Sequence, residues 1–203
     1  MSSARLWNIV SDNYGTYRDE QTQAAERHGF RLAVQALASV ILSLFVDGLS
    51  DDNISVLVTA LSILIGFAFA AMFPIALESV GGLPKPLYAE DRDDIRVIRQ
   101  LAMYFRFNVA YFIPLALTCV ATLLIQMLDL TVPNFISGLQ PRLSPLTADV
   151  WYYVSHLRSL ASKALLSLSI MLLQESCYTF YRMCFNALSL LRIKEEYISS
   201  RSE

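Results

Sequence analysis

The sequence predicts an all-α integral membrane protein with four transmembrane helices, both termini in the cytoplasm and a long last helix. Composition is the first observation behind this prediction: the chain has 203 residues and is 55% hydrophobic, more than the roughly 45–50% of soluble domains. Its apolar residues also gather in four windows long enough to cross a bilayer, which takes roughly 17–25 predominantly apolar residues. The third observation is the uneven distribution of lysine and arginine between the connections.

The predicted chain alternates aqueous segments with membrane spans. In chain order these are a cytoplasmic N-terminal helical segment (1–29), a transmembrane hairpin of spans 1 and 2 (30–77), a cytoplasmic connection with an amphipathic helix (78–106), span 3 (107–128), a periplasmic connection with a helical stub (129–163), and span 4 with a cytoplasmic tail (164–203). The formal net charge is only −2, so bulk charge does not indicate a nucleic-acid-binding protein, and the local placement of charge is more informative.

The first two spans are the most regular part of the pattern. Span 2, residues 54–77, has no ionisable residue, and its Pro74 is tolerated in a membrane helix when neighbouring groups satisfy the carbonyl that it frees. Only the stretch DGLSDDN, residues 47–53, separates it from span 1, residues 30–46. A connection this short predicts an antiparallel helical hairpin.

Positive charge is concentrated in three aqueous segments. The N-terminal segment, the second connection and the C-terminal tail contain Arg5, Arg18, Arg27, Arg31, Lys85, Arg92, Arg96, Arg99, Arg106, Arg192, Lys194 and Arg201. The first connection has three aspartates and no Lys or Arg, whereas the third connection and the approach to span 4 hold Arg142, Arg158 and Lys163. The positive-inside rule therefore predicts a multi-pass protein with both termini and the central connection in the cytoplasm.

The last span contains charged side chains within the apolar run SIMLLQESCYTFYRMCF, residues 169–185. The predicted intramembrane polar face, or oligomer interface, consists of Gln174, Glu175, Tyr178, Tyr181 and Arg182. A charge at the bilayer centre costs about 2.5–3.5 kcal/mol on insertion scales, so such a residue normally faces protein or water. Arg31 and Gln35 of span 1, or the same face of another subunit, are candidate partners of Glu175. The glutamate then either belongs to a buried pair that fixes helix register or lines a pore or sensor element.

The second connection becomes helical from about Ala89, after a run that contains Gly81, Gly82, Pro84 and Pro86. Its basic edge, predicted to contact lipid or a partner, consists of Arg92, Arg96, Arg99 and Arg106. The opposite side is apolar and carries Val97, Ile98, Leu101, Tyr104 and Phe105. Such a helix lies on anionic headgroups, docks a cytosolic partner or neighbouring subunit, or simply extends span 3. Direct nucleic-acid binding is not expected, because basic and aromatic residues do not interleave on one surface.

The chain is not expected to be an enzyme. Its only two histidines, His28 and His156, fall on opposite sides of the membrane in the predicted topology. Cys119, Cys177 and Cys184 all lie in apolar stretches without a CxxC pair, which argues against a zinc site and a disulfide framework. The sequence therefore predicts no catalytic, cofactor-binding or metal-binding residues, and no cofactor.

The stretch YRDEQTQAAERHGFRLAVQALASVILSLFVDGLSDDNISVLVTALSILIGFAFA, residues 17–70, joins a polar helix directly to a tight hairpin. This arrangement resembles small membrane effector modules of bacterial antiviral systems. The complete layout of four spans in about 200 residues is similar to the membrane subunit of the Kiwa antiphage defence system. Two-span effector modules share the hairpin but lack the second pair of spans, so the Kiwa resemblance is preferred.

The Kiwa resemblance implies a non-enzymatic bacterial inner-membrane protein that acts as a sensor or scaffold. It also implies a homo-oligomer, for which the resemblance alone suggests a tetramer, and a cytosolic partner that binds DNA. Membrane lipids are the other expected partner. The same spans and polar face fit an alternative almost equally well, namely a small oligomeric ion channel or pore-forming membrane effector.

Overall fold

The chain folds into long helices. The structure, a computed structural model, describes residues 10, 11, 13, 14, 28–46, 48–81, 89–127 and 146–199. Its main elements are α1 (His28–Phe45), α2 (Asp51–Gly81), α3 (Ala89–Met127) and α4 (Leu146–Ser199). Each of these four helices is long and apolar enough to cross a membrane. The prediction of an all-α fold is confirmed for the described residues, and the four helices have the length and apolarity that the predicted spans require.

The ends of the helices follow local sequence signals. The backbone N–H of Asn53 donates to the Ser50 hydroxyl over 3.3 Å at the start of α2, as an N-cap serine does. α2 ends at Gly81 and α3 begins at Ala89, and the predicted break at Gly82, Pro84 and Pro86 lies outside the described residues. α4 has 54 residues and is about 80 Å long at 1.5 Å per residue. The prediction of a long last helix is therefore confirmed.

The helices pack in the order α2, α3, α4, α1. Among the described residues, the extensive contacts join α2 to α3, α3 to α4, and α4 to α1. α1 and α2, the two helices of the predicted hairpin, therefore make their main contacts with α4 and α3 respectively. The main core consists of Ile54, Leu61, Ala68, Phe105, Val109, Phe112, Ala116, Cys119, Leu123 and Met183. α3 and α4 lie at its centre and run antiparallel, with the Phe112 and Phe180 ring centroids 5.6 Å apart.

Residues 89–106 are the first turns of α3 and form no separate helix. Their buried side packs against the end of α4 in a second core cluster formed by Ile95, Ile98, Ala102, Leu190 and Tyr197. Of the alternatives that the sequence left open, this geometry favours an extension of span 3. Part of its apolar side is already occupied by α4 of the same chain.

Polar and small side chains line the contact between α3 and α4. The Gln126 amide donates to the Ser169 hydroxyl over 2.6 Å and to the Leu165 carbonyl over 3.4 Å. The buried Cys119 thiol lies 3.8 Å from the Ser169 carbonyl. Small residues let helix backbones approach closely, and side-chain hydrogen bonds add stability where lipid supplies no water. These contacts join α3 to α4 between Cys119 and Gln126 on one side and between Leu165 and Ser169 on the other.

Candidate functional site around Glu175

The most polar part of the bundle interior surrounds Glu175 on α4. The Arg31 guanidinium of α1 contacts both carboxylate oxygens, with Nη1 at 3.1 Å from Oε2 and Nη2 at 3.1 Å from Oε1. The side chains are only 15% exposed for Arg31 and 4% exposed for Glu175. The Nη2 contact is a charge-assisted hydrogen bond, which is roughly twice as strong as a neutral one, and the Nη1 contact adds the attraction of an ion pair. The structure therefore pairs Glu175 with one of the two span 1 residues that the sequence indicated.

Two further side chains support the ion pair. Gln35, one turn along α1 from Arg31, lies beside the Glu175 carboxylate. The Tyr178 ring lies beneath the guanidinium, whose central carbon is 3.7 Å from the ring centroid. A cation held over an aromatic face gains electrostatic stabilisation, and the gain is larger where water is excluded. Tyr178 follows Glu175 by three residues on α4, so both residues face Arg31.

The N-terminal segment reaches the same carboxylate through Tyr14. The Tyr14 hydroxyl donates to Glu175 Oε1 over 3.2 Å and lies 3.1 Å from the hydroxyl of Tyr111 on α3. A phenol has a single proton, so with Tyr14 donating to the carboxylate, Tyr111 donates to Tyr14. The Tyr14 ring also stacks on His28 at a centroid distance of 5.1 Å. Four parts of the chain thus meet at one carboxylate.

Burial and hydrogen bonding fix the protonation state of Tyr14. Burial is the main cause that raises the pKa of its phenol, and the hydrogen bond with Tyr111 and the nearby Glu175 carboxylate act in the same direction. The phenol therefore stays protonated at neutral pH and remains a donor to Glu175. The neighbouring Asn13 is fully buried, so this short stretch is embedded in the bundle.

The chemistry of this arrangement is that of a clasp between helices. Both oxygens of Glu175 face donors of the same chain, and the described residues contain no group of three or more His, Cys, Asp or Glu side chains suited to a metal ion. The carboxylate therefore joins α4 to α1 through Arg31 and to the N-terminal segment through Tyr14. We call Arg31, Glu175, Tyr14, Tyr111 and Tyr178 the Glu175 clasp.

The other residues of the predicted polar face differ in their exposure. Gln174 and Arg182 are half-buried on α4, whereas Tyr181 is exposed. The predicted basic edge, Arg92, Arg96, Arg99 and Arg106, is exposed along the first part of α3. The structure therefore brings together two members of the predicted face, Glu175 and Tyr178, and leaves the four arginines of the basic edge on the surface.

Sequence reasoning missed two members of the clasp, Tyr14 and Tyr111. Tyr111 offered a signal, since a polar-tipped ring in an apolar span, three residues after Asn108, indicates a face turned toward protein. Tyr14 offered none, because it lies in a polar segment without periodicity. His28 begins α1 and His156 belongs to the far part of α4, beyond Lys163, whose ammonium contacts the Val46 carbonyl at 2.8 Å. The histidines therefore lie at opposite ends of the bundle.

No protein-family model, characterised protein or solved structure matches this chain. Its function must therefore be inferred from the fold and from the residues described above.

Proposed function

We propose that the protein is a non-enzymatic scaffold of the bacterial inner membrane that oligomerises, engages a cytosolic partner and acts as a sensor in antiviral defence. The observation that carries the scaffold role is the Glu175 clasp. An ion pair with a 4% exposed carboxylate and partners within its own chain supports a rigid helix arrangement better than a water-filled path. The antiviral role rests on the resemblance to the Kiwa membrane subunit.

The orientation we propose has both termini in the cytoplasm. It rests on the lysine and arginine distribution, because basic connections are retained on the cytoplasmic side. The paired ends of α3 and α4 would then project from the membrane into the cytoplasm and present the exposed Arg92, Arg96 and Arg99 to lipid headgroups or to the partner. Reporter fusions at Glu203 test this: activity only in reporters that require the periplasm would contradict it.

An exposed stripe of α4 supports oligomerisation. It consists of Cys177, Tyr181, Cys184, Leu188, Leu191 and Ile198, all exposed to solvent or lipid in the single chain. From Cys177 to Leu191 the steps are four, three, four and three residues, and Ile198 follows seven residues later, which is the spacing of a coiled-coil heptad. Leu188, Leu191 and Ile198 are 67%, 46% and 43% exposed and follow Phe185, the predicted end of span 4, so lipid tails would no longer cover them. Two copies inserted in the same direction would align this stripe in parallel, with Cys184 beside the Cys184 of a second copy.

Oxidative cross-linking tests that interface. The variant Cys177→Ser keeps Cys184 on the stripe, and copper phenanthroline in membranes should convert it to disulfide-linked dimers on a non-reducing gel. The matched control carries Cys177→Ser, Cys184→Ser and Leu117→Cys, which moves the thiol to a 54% exposed position on α3. Equal cross-linking of both variants would indicate random collision and contradict the interface.

A single variant separates the scaffold from a channel. We expect mass photometry in mild detergent to detect an oligomer, and planar bilayers to detect no ion flux, for the unmodified protein. Glu175→Ala should lower the yield of the oligomer because it leaves Arg31 buried without its carboxylate. Cation currents in the unmodified protein that are absent from an intact Glu175→Ala oligomer would contradict the scaffold proposal. They would indicate that Glu175 lines a pore, because rings of carboxylates select cations in channels.

A further inference from the structure

A cavity of about 490 Å³ opens at the end of the bundle away from Ser199. Three elements line it: the start of α2 with the residues before it, the last turn of α3, and α4 between Arg158 and Leu166. Its volume is in the range of about 300–1,000 Å³ that is usual for ligand pockets. Neither the Glu175 clasp nor the α4 stripe contributes a residue to this cavity.

The cavity lies where helices of the bundle end or begin, which is the level at which membrane-spanning helices would meet lipid headgroups. α1 ends at Phe45, α2 begins at Asp51 and α3 ends at Met127, so three of the helices that lead to the cavity end or begin beside it. The Lys163 ammonium donates to the carbonyl of Val46, the residue that follows α1, over 2.8 Å at the same end. Lysine side chains near helix ends favour this interfacial layer.

The lining combines opposite charges with an aliphatic floor. Arg158 on α4 and Asp51 on α2 bring one cation and one carboxylate to the cavity, and Leu49, Leu165 and Leu166 supply apolar surface. An arginine binds phosphate through paired N–H donors, whereas a carboxylate accepts hydrogen bonds from an amine and repels an anion. The aliphatic floor suits hydrocarbon and offers little to a fully soluble ion.

We propose that this cavity binds the headgroup of a zwitterionic phospholipid, with the phosphodiester at Arg158, a primary amine at Asp51 and the start of an acyl chain on Leu49, Leu165 and Leu166. Basic pockets between membrane helices on the cytoplasmic side bind anionic headgroups, whereas the lining here holds one arginine and one carboxylate. The added carboxylate selects a phosphoethanolamine headgroup over a purely anionic one, because a second negative charge would lie beside Asp51. A quaternary amine is disfavoured as well, since it has no N–H to donate.

Native mass spectrometry on protein released from nanodiscs tests the proposal. We use nanodiscs of phosphatidylcholine with a minor fraction of either phosphatidylethanolamine or phosphatidylglycerol, and count the lipids that remain bound. The unmodified protein should retain phosphatidylethanolamine about tenfold more often than either other lipid, which corresponds to one charge-assisted hydrogen bond. Soluble phosphoethanolamine in excess should not displace it, because the apolar floor would contribute to binding. Displacement would show that the site takes the free phosphate compound, and would overturn the lipid assignment.

Three variants and one control identify the residues responsible. Arg158→Gln should lower retention of every phospholipid, and Ala161→Phe should do the same by filling the cavity. Asp51→Asn should leave retention intact but shift the preference toward phosphatidylglycerol, a result that a merely structural role of Asp51 would not produce. Arg96→Gln, at an 81% exposed side chain of the other end, should change nothing. Equal retention by the unmodified protein and Ala161→Phe, or an unchanged preference in Asp51→Asn, would overturn the proposal.

Discussion

Two helix contacts in this bundle are made in opposite ways. α2 joins α3 through apolar side chains such as Ile54, Leu61 and Phe112, all of them almost completely buried. α1 joins α4 through the Arg31–Glu175 ion pair, while large apolar residues of α1, for example Phe45 at 84%, are exposed. The first contact depends on shape, and the second depends on charge.

The difference follows from the solvent. Lipid tails are as apolar as leucine, so burying leucine against another helix removes little unfavourable solvation, and close packing must stabilise the contact. A long apolar helix such as α2, with 31 residues, offers enough surface for this. α1 has 18 residues and buries only Ser39 and Ser43 among its described side chains. The ion pair therefore supplies the specificity that packing does not.

The sharpest test of this comparison is to remove one charge from the α1–α4 contact. We expect Glu175→Ala to lower the free energy of unfolding by about 3–5 kcal/mol, because the Arg31 guanidinium would stay buried without its carboxylate. Steric trapping in bicelles measures this quantity. The double variant Arg31→Ala with Glu175→Ala should recover part of the loss, since no uncompensated charge remains. If Glu175→Ala alone is at least as stable as the double variant, the ion pair contributes nothing specific to the α1–α4 contact.

The sequence predicted the fold more completely than the clasp. The helices and their approximate ends could be predicted because they depend on local chemistry. The signals were the hydrophobic windows, the glycine and proline run near Gly81, and the uninterrupted pattern toward Tyr197. Arg31 could be suggested as the partner of Glu175 because a buried charge needs a counter-charge. Tyr14 could not, because its contact with Glu175 spans 161 positions and depends on how a polar segment folds back. The order in which the helices pack could not be predicted either, because it also depends on contacts between residues far apart in the sequence.

A smaller effect is expected from the apolar contact. Leu61 of α2 is 1% exposed, and Leu61→Ala should lower the free energy of unfolding by about 2 kcal/mol, the lower end of the range for leucine truncation. The reason is that the transfer part of that loss is nearly absent when the alternative solvent is lipid. The matched control is Ile63→Ala on the same helix, where the side chain is 54% exposed. A loss equal to that of Glu175→Ala would erase the distinction between the two contacts.

The smallest effect on stability is expected for a second arginine–glutamate pair, which lies on the exposed surface of α4. Arg192 and Glu196 form an ion pair of 2.9 Å one turn apart on α4, with side chains 81% and 64% exposed. Its atoms are closer together than those of Arg31 and Glu175, yet water screens the attraction and both side chains remain largely hydrated. We expect Arg192→Gln to lower the free energy of unfolding by about 0.3–0.5 kcal/mol, as for exposed helix pairs. A double-mutant cycle with Glu196→Gln, repeated at low and high salt, isolates that coupling, which should fade as salt rises. A coupling above about 2 kcal/mol lies beyond the usual range for exposed pairs. It would show that distance rather than burial sets the strength of an arginine–glutamate pair in this protein. The contrast between the α2–α3 contact and the α1–α4 contact would then need another cause.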